Sequence, residues 1–159
     1  MKKAVIIPVV AMLVGVSGTT AQAADLPYDG EGHLLLDPAE LEWSDVASMA
    51  APAQIAVIEG NLANEEPFTF RLKLPAGYQI DPHTHPAYER VTVISGTLHF
   101  AHGETFDRDG TTALPQGGVA VMPPGTPMYG YAEGDTIIQV HGVGPWGIEY
   151  VDSEDDPRS

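Results

Sequence analysis

Gly77-Tyr78-Gln79-Ile80-Asp81-Pro82-His83-Thr84-His85-Pro86-Ala87-Tyr88-Glu89-Arg90-Val91-Thr92-Val93-Ile94-Ser95-Gly96 is the stretch that decides the fold of this chain. His83 and His85 lie two residues apart, so on an extended backbone both imidazoles face the same side. Glu89 follows four residues later, across the bend at Pro86, and returns a carboxylate to the same point. Two neutral nitrogens and one anionic oxygen on one side suit a divalent transition metal. A His pair exposed to solvent beside an unrelated glutamate is the competing reading. The glycines at fixed offsets on both flanks argue against it.

Outward from this stretch, the chain reads as short strands broken by Gly and Pro. Gln54 to Ile58 is an apolar run closed by Gly60-Asn61, and residues 68–74 alternate strictly, placing the Phe and Leu side chains on one face. Residues 90–95 and 97–101 flank a tight-turn glycine, Gly96, and further strands are expected over 117–122, 128–132 and 136–141. Many short strands with such punctuation predict an all-β sandwich or small barrel. Residues 24–53 form an N-terminal extension in which Pro38 to Met49 gives a turn or two of helix, with Asp37 as its cap. The barrel is expected over residues 54–151. The acidic tail, 152–159, is expected to be loose. There is no internal repeat.

The first residues belong to export rather than to the fold. Lys2 and Lys3 form a short basic region, an apolar run covers Ala4 to Val16, and Ala21-Gln22-Ala23 closes the segment. That layout predicts a signal peptide over residues 1–23, cleaved after Ala23. The run is shorter than the roughly 20 residues of a spanning helix, and Pro8 interrupts it. The expected location is periplasmic or secreted, in a bacterium. Loss of the two lysines takes the net charge from −15 to near −17, a field that repels phosphate backbones and anionic lipid. No nucleic acid and no membrane are therefore expected as partners. With no cysteine, thiolate chemistry and disulfide staples are excluded.

The spacing of Gly77, His83, His85, Glu89 and Gly96 resembles the first signature of the cupin superfamily, without a gap. Gly117, Pro123 and Gly125 fit the second signature, but its histidine position holds Met128 and its later asparagine position holds Ala132. More narrowly, the runs Glu89 to Gly96 and His141 to Gly147 resemble those of bacterial single-domain cupins. The resemblance implies a jelly-roll β-barrel with a metal in its lumen, often in homodimers. It does not imply one reaction, because cupins include oxygenases, isomerases, decarboxylases and storage proteins.

Three readings of the fourth ligand place stand open. His83, His85 and Glu89 alone would leave open positions, as on the two-His-one-carboxylate face of non-haem iron oxygenases. Met128 would ligate a softer metal, or else form an apolar wall beside Tyr129 in the pocket. His141 would stand beside the vacant place if 128–133 and 136–141 formed a hairpin about Gly134-Asp135, pairing 128 with 141. A turn one residue longer would point Val140 there instead, and strands in different sheets would break the pairing. Surface or loop roles are expected for His99 and His102, His33 shows no partner, and Trp146 is either packing or a rim residue. Two functions follow: a metalloenzyme acting on a small molecule with Fe, Mn or Zn, of dioxygenase type ahead of isomerase or lyase, or a non-catalytic ligand-binding or metal-stabilised module.

Overall fold

The computed structural model describes residues 26–159; the expected signal peptide lies outside the described residues. Two antiparallel sheets face each other. The first has six strands in the order β1 (Ser44–Asp45), β2 (Gln54–Glu59), β3 (Pro67–Leu74), β10 (Thr136–Val143), β5 (Glu89–Ser95) and β8 (Val119–Met122). The second has five: β11 (Glu149–Tyr150), β4 (Gln79–Thr84), β9 (Met128–Ala132), β6 (Thr97–His102) and β7 (Thr112–Pro115). The all-β jelly-roll expectation is met. Among the described residues, no helix is long and apolar enough to cross a membrane.

Strand alternation builds the core. In β3 the side chains of Phe68, Phe70, Leu72 and Leu74 are buried while Thr69, Arg71 and Lys73 are only partly so. The inward residues of β10 (Ile138, Val140), β5 (Val91, Val93), β6 (Leu98) and β9 (Met128, Ala132) pack against them. Both faces of β9 are covered, so all five of its residues are buried. Its inner face meets the core, and Phe106 and Arg108 of the 103–111 loop lie over Tyr129 and Tyr131 outside.

The extension forms a single 3-10 turn at Pro38–Glu40, and the Asp37 carboxylate accepts from the Ala39 amide at 2.9 Å, as expected of a cap. Leu41 then packs with Ala56 and Ile58, joined by Leu34, Leu36 and Trp43, so the extension covers the outer side of β2. The tail departs from expectation. Arg158 pairs with Asp156 and donates to the Ile148 carbonyl at 3.0 Å, folding the tail back onto the barrel.

The hairpin expected about Gly134-Asp135 does not form. Strand β9 lies in the second sheet and β10 in the first, and the 133–135 link crosses between them. Gly96 is the matching crossing on the other strand pair, carrying the chain from β5 to β6. Its φ is +81°, and a Cβ there would lie 2.5 Å from the Asp135 carbonyl oxygen. The two crossings pass so closely that only glycine fits.

Candidate metal centre

The three residues of the first motif lie at one end of the barrel and line one cavity. His83 is the penultimate residue of β4, His85 follows that strand, and Glu89 opens β5 in the opposite sheet. The Pro86-to-Tyr88 bend carries the chain from one sheet to the other, which brings the carboxylate round to the imidazoles. All three side chains are buried, and they line one cavity with Met49, Phe100, Trp146 and Ile148.

Backbone carbonyls set both ring orientations. The His83 Nδ1–H donates to the Asp81 carbonyl at 2.7 Å, and the His85 Nδ1–H donates to the Gly147 carbonyl at 2.6 Å. A carbonyl only accepts, so each Nδ1 carries a proton, and in the neutral ring each Nε2 presents a lone pair. The same arrangement orients metal-binding histidines generally. His85 Nε2 is buried and has no hydrogen-bond partner among the described residues. It lies 3.4 Å from Glu89 Oε2, a contact without hydrogen-bond alignment. Two donors, each about 2.1 Å from one ion, stand about 3 to 3.5 Å apart. His83 stands edge-on to His85, with ring centroids 4.8 Å apart.

The electrostatics differ between the two imidazoles, keeping His83 neutral and pairing His85 with the Glu89 carboxylate. Burial pushes His83 down to about 4, helped by the neighbouring His85. Burial also acts to lower His85, but the Glu89 carboxylate outweighs it and the net shift is upward. A buried imidazole with a free lone pair and an adjacent carboxylate fit a divalent ion. Among the described residues, however, no three His, Cys, Asp or Glu groups converge tightly enough to form a finished ion cage. His85 and Glu89 have ligand spacing, and His83 is their buried neighbour.

His141 does not join them. It pairs with Thr69 on one side and Arg90 on the other, both outward-facing positions, while Val140 points into the core. The pairing of 128 with 141 fails because their strands belong to different sheets. Met128 pairs with His83 across β4 and β9 and is fully buried, an inward position among apolar neighbours. Tyr129, expected in the pocket, faces the other way, under Phe106. His99 stacks on Tyr131 at 4.4 Å on the outer side of β6, and His102 is exposed at that strand's end. Tyr88 is half exposed beside Arg90.

Trp146 is the residue whose place the sequence left undecided. Its ring stacks on His85, with centroids 4.6 Å apart and planes 19° from parallel. The signal was the loop of small residues that carries it, Gly144-Pro145-Trp146-Gly147, because Gly147 also supplies the carbonyl that orients His85. Met49 reaches the cavity from the N-terminal extension, and no local pattern marks it.

A family model described as cupin matches residues 60–143, more than half of the chain, and takes in the whole first motif. The chain belongs to the cupin family. Its fold is similar to that of the polyketide cyclase RemF from Streptomyces resistomycificus, with a TM-score of 0.64 at 14% identity, covering 80% of this chain and 91% of that one. A cupin of RmlC-like type from Shewanella frigidimarina gives 0.55 at 15% identity, covering 69% and 89%. A salicylate 1,2-dioxygenase variant from Pseudoaminobacter salicylatoxidans, solved with gentisate, gives 0.51 at 16% identity, covering 64% of this cupin and 30% of the enzyme. At these identities the likeness is one of fold. No curated protein sequence matches the chain.

Proposed function

We propose that this cupin is an exported, metal-dependent enzyme of oxygenase type that acts on a small molecule, with His83, His85 and Glu89 holding one Fe, Mn or Zn ion. One observation carries the reading: the buried His85 Nε2, oriented by the Gly147 carbonyl, has no partner except the poorly aligned carboxylate 3.4 Å away. A buried nitrogen left so costs about 1–3 kcal/mol, and an ion between nitrogen and carboxylate removes that cost. With Met128 in place of the second motif's histidine, the protein supplies three donors and leaves other positions to exogenous ligands. Bound iron or manganese would supply oxygen chemistry, whereas zinc would supply only Lewis-acid chemistry. The chain's own contribution is to orient the imidazoles through Asp81 and Gly147 and to surround them with apolar walls that exclude bulk water.

A second reading has its own support. The cavity is small, about 30 Å³, which suits an ion that stabilises a non-catalytic module. Both readings place the protein in the periplasm or outside the cell, after removal of residues 1–23, and the family resemblance adds a homodimer as its expected assembly.

Metal content of the exported protein, purified without oxygen, tests the centre. About one iron, manganese or zinc per chain is expected, and it should be lost from the His83→Ala/His85→Ala double variant. No metal in either protein after supplementation would sink the proposal. Oxygen uptake with candidate substrates then separates the enzyme from the module.

A further inference from the structure

The cavity of about 30 Å³ has room for roughly two water-sized groups. Cavities that enclose organic ligands run to about 300–1,000 Å³. Most of its walls, including Leu72, Val91, Leu98 and Ile138, belong to strands held in the two sheets. Trp146 does not. It sits in the link between β10 and β11, face to face with His85 and edge-on to Phe70 at 5.0 Å. Its backbone N–H donates to the Leu62 carbonyl at 2.7 Å, which fixes where the ring enters. Its indole Nε1–H is buried and finds no acceptor among the described residues. A buried donor without a partner in the protein is a place for a ligand oxygen or nitrogen.

We propose that Trp146 is the specificity-determining residue of the centre. It limits the ligand at the ion to about two or three heavy atoms, of the size of dioxygen or a small anion, and favours one that accepts a hydrogen bond. Aromatic or sugar-sized molecules are excluded while the indole is in place. This rests on the metal-centre reading above.

The test loads the protein with Co(II), whose visible absorption reports ligands entering the coordination sphere, and titrates it with azide and with catechol. In the wild type, azide shifts the spectrum and catechol does not. In Trp146→Ala both do, with catechol binding at least ten-fold tighter than in the wild type. Trp146→Phe keeps the size limit and binds azide more weakly, having lost the N–H. Should the alanine variant fail to fold, Trp146→Leu keeps apolar contact with Phe70 and must admit catechol in its place. Catechol binding equally to wild type and variant, or azide failing to shift a cobalt-loaded wild type, overturns the proposal and leaves the metal centre standing. Failure of the wild type to take up cobalt overturns the metal centre and, with it, this inference.

Discussion

At the scale of single residues, the motif was legible because its chemistry is local. His83 and His85 lie on one side because an extended chain alternates, and Glu89 returns because Pro86 begins a bend. Their protonation was not legible, since it comes from burial by distant strands. His83 is pushed down to about 4 from an ordinary value of 6.5. Its folded value lies below its unfolded one, so between about pH 6.5 and 4 the unfolded chain binds the extra proton. Its contribution is fully present above pH 6.5 and is lost on acidification, by an amount on the order of 3 kcal/mol. His85 shifts the other way, so its contribution fades as pH rises. Urea midpoints of the chelator-treated protein at pH 7 and pH 4.5 should therefore fall with acid, and fall less in His83→Asn. Equal slopes in the two proteins would show that other groups govern the acid limb. Gly96 offers a second residue-scale test. Gly96→Ala forces a Cβ against the Asp135 carbonyl in addition to the strain of φ +81° and should cost on the order of 3 kcal/mol. Gly77 has a similar φ of +78° but open space, so Gly77→Ala should cost only about 1 kcal/mol. Equal losses in denaturant unfolding would mean that the close approach at Gly96 contributes nothing.

At the scale of elements, period-two alternation made β3 readable almost residue by residue, because one face is core and the other is not. Strand β9 gave no such alternation, since the 103–111 loop covers its outer face and all five residues are buried. Tyr129 follows Met128 directly, and successive strand residues point to opposite faces, so with Met128 inward Tyr129 lies outside the pocket. The link at Gly134-Asp135 misled for a different reason: a short Gly-containing turn serves equally well as a hairpin or as a crossing between facing sheets, and only long-range pairing separates the two. With the hairpin went the argument for His141. The extension carries an element-scale prediction. Leu41 and Trp43 cover the outer side of β2, with Lys73 4.0 Å above the Trp43 ring. Leu41→Ala should cost about 2–3 kcal/mol through the cavity it leaves. It should not change the metal content, because Leu41 lies on the outer side of the first sheet, away from the centre. Loss of metal alongside loss of stability would show that the extension shapes the site beyond the wall that Met49 provides.

At the scale of the whole molecule, the class was legible and the arrangement was not. Turn punctuation and short runs announce a β-barrel, whereas the strand orders of the two sheets depend on pairings between residues far apart in the chain, such as β10 against β3. Charge is the property that acts on the whole molecule at once. Acidic residues number 22 against 7 basic ones, and the described ion pairs are few: Arg158 with Asp156, and contacts of His85 and His99 with glutamates. Most carboxylates therefore face water and one another, and their mutual repulsion opposes the compact state. The Debye length falls from about 30 Å at 0.01 M salt to about 10 Å at 0.1 M, so repulsion across a domain of this size is largely screened over that range. The melting temperature should rise between 10 and 150 mM sodium chloride, by a few degrees if repulsion contributes about 1 kcal/mol. Most of the rise should come below 100 mM, and it should persist in the His83→Ala/His85→Ala variant, whose metal site is gone. A flat profile in both proteins would mean that the carboxylates are too widely spaced for their field to oppose folding. A rise confined to the wild type would assign the salt effect to the metal centre instead of the surface.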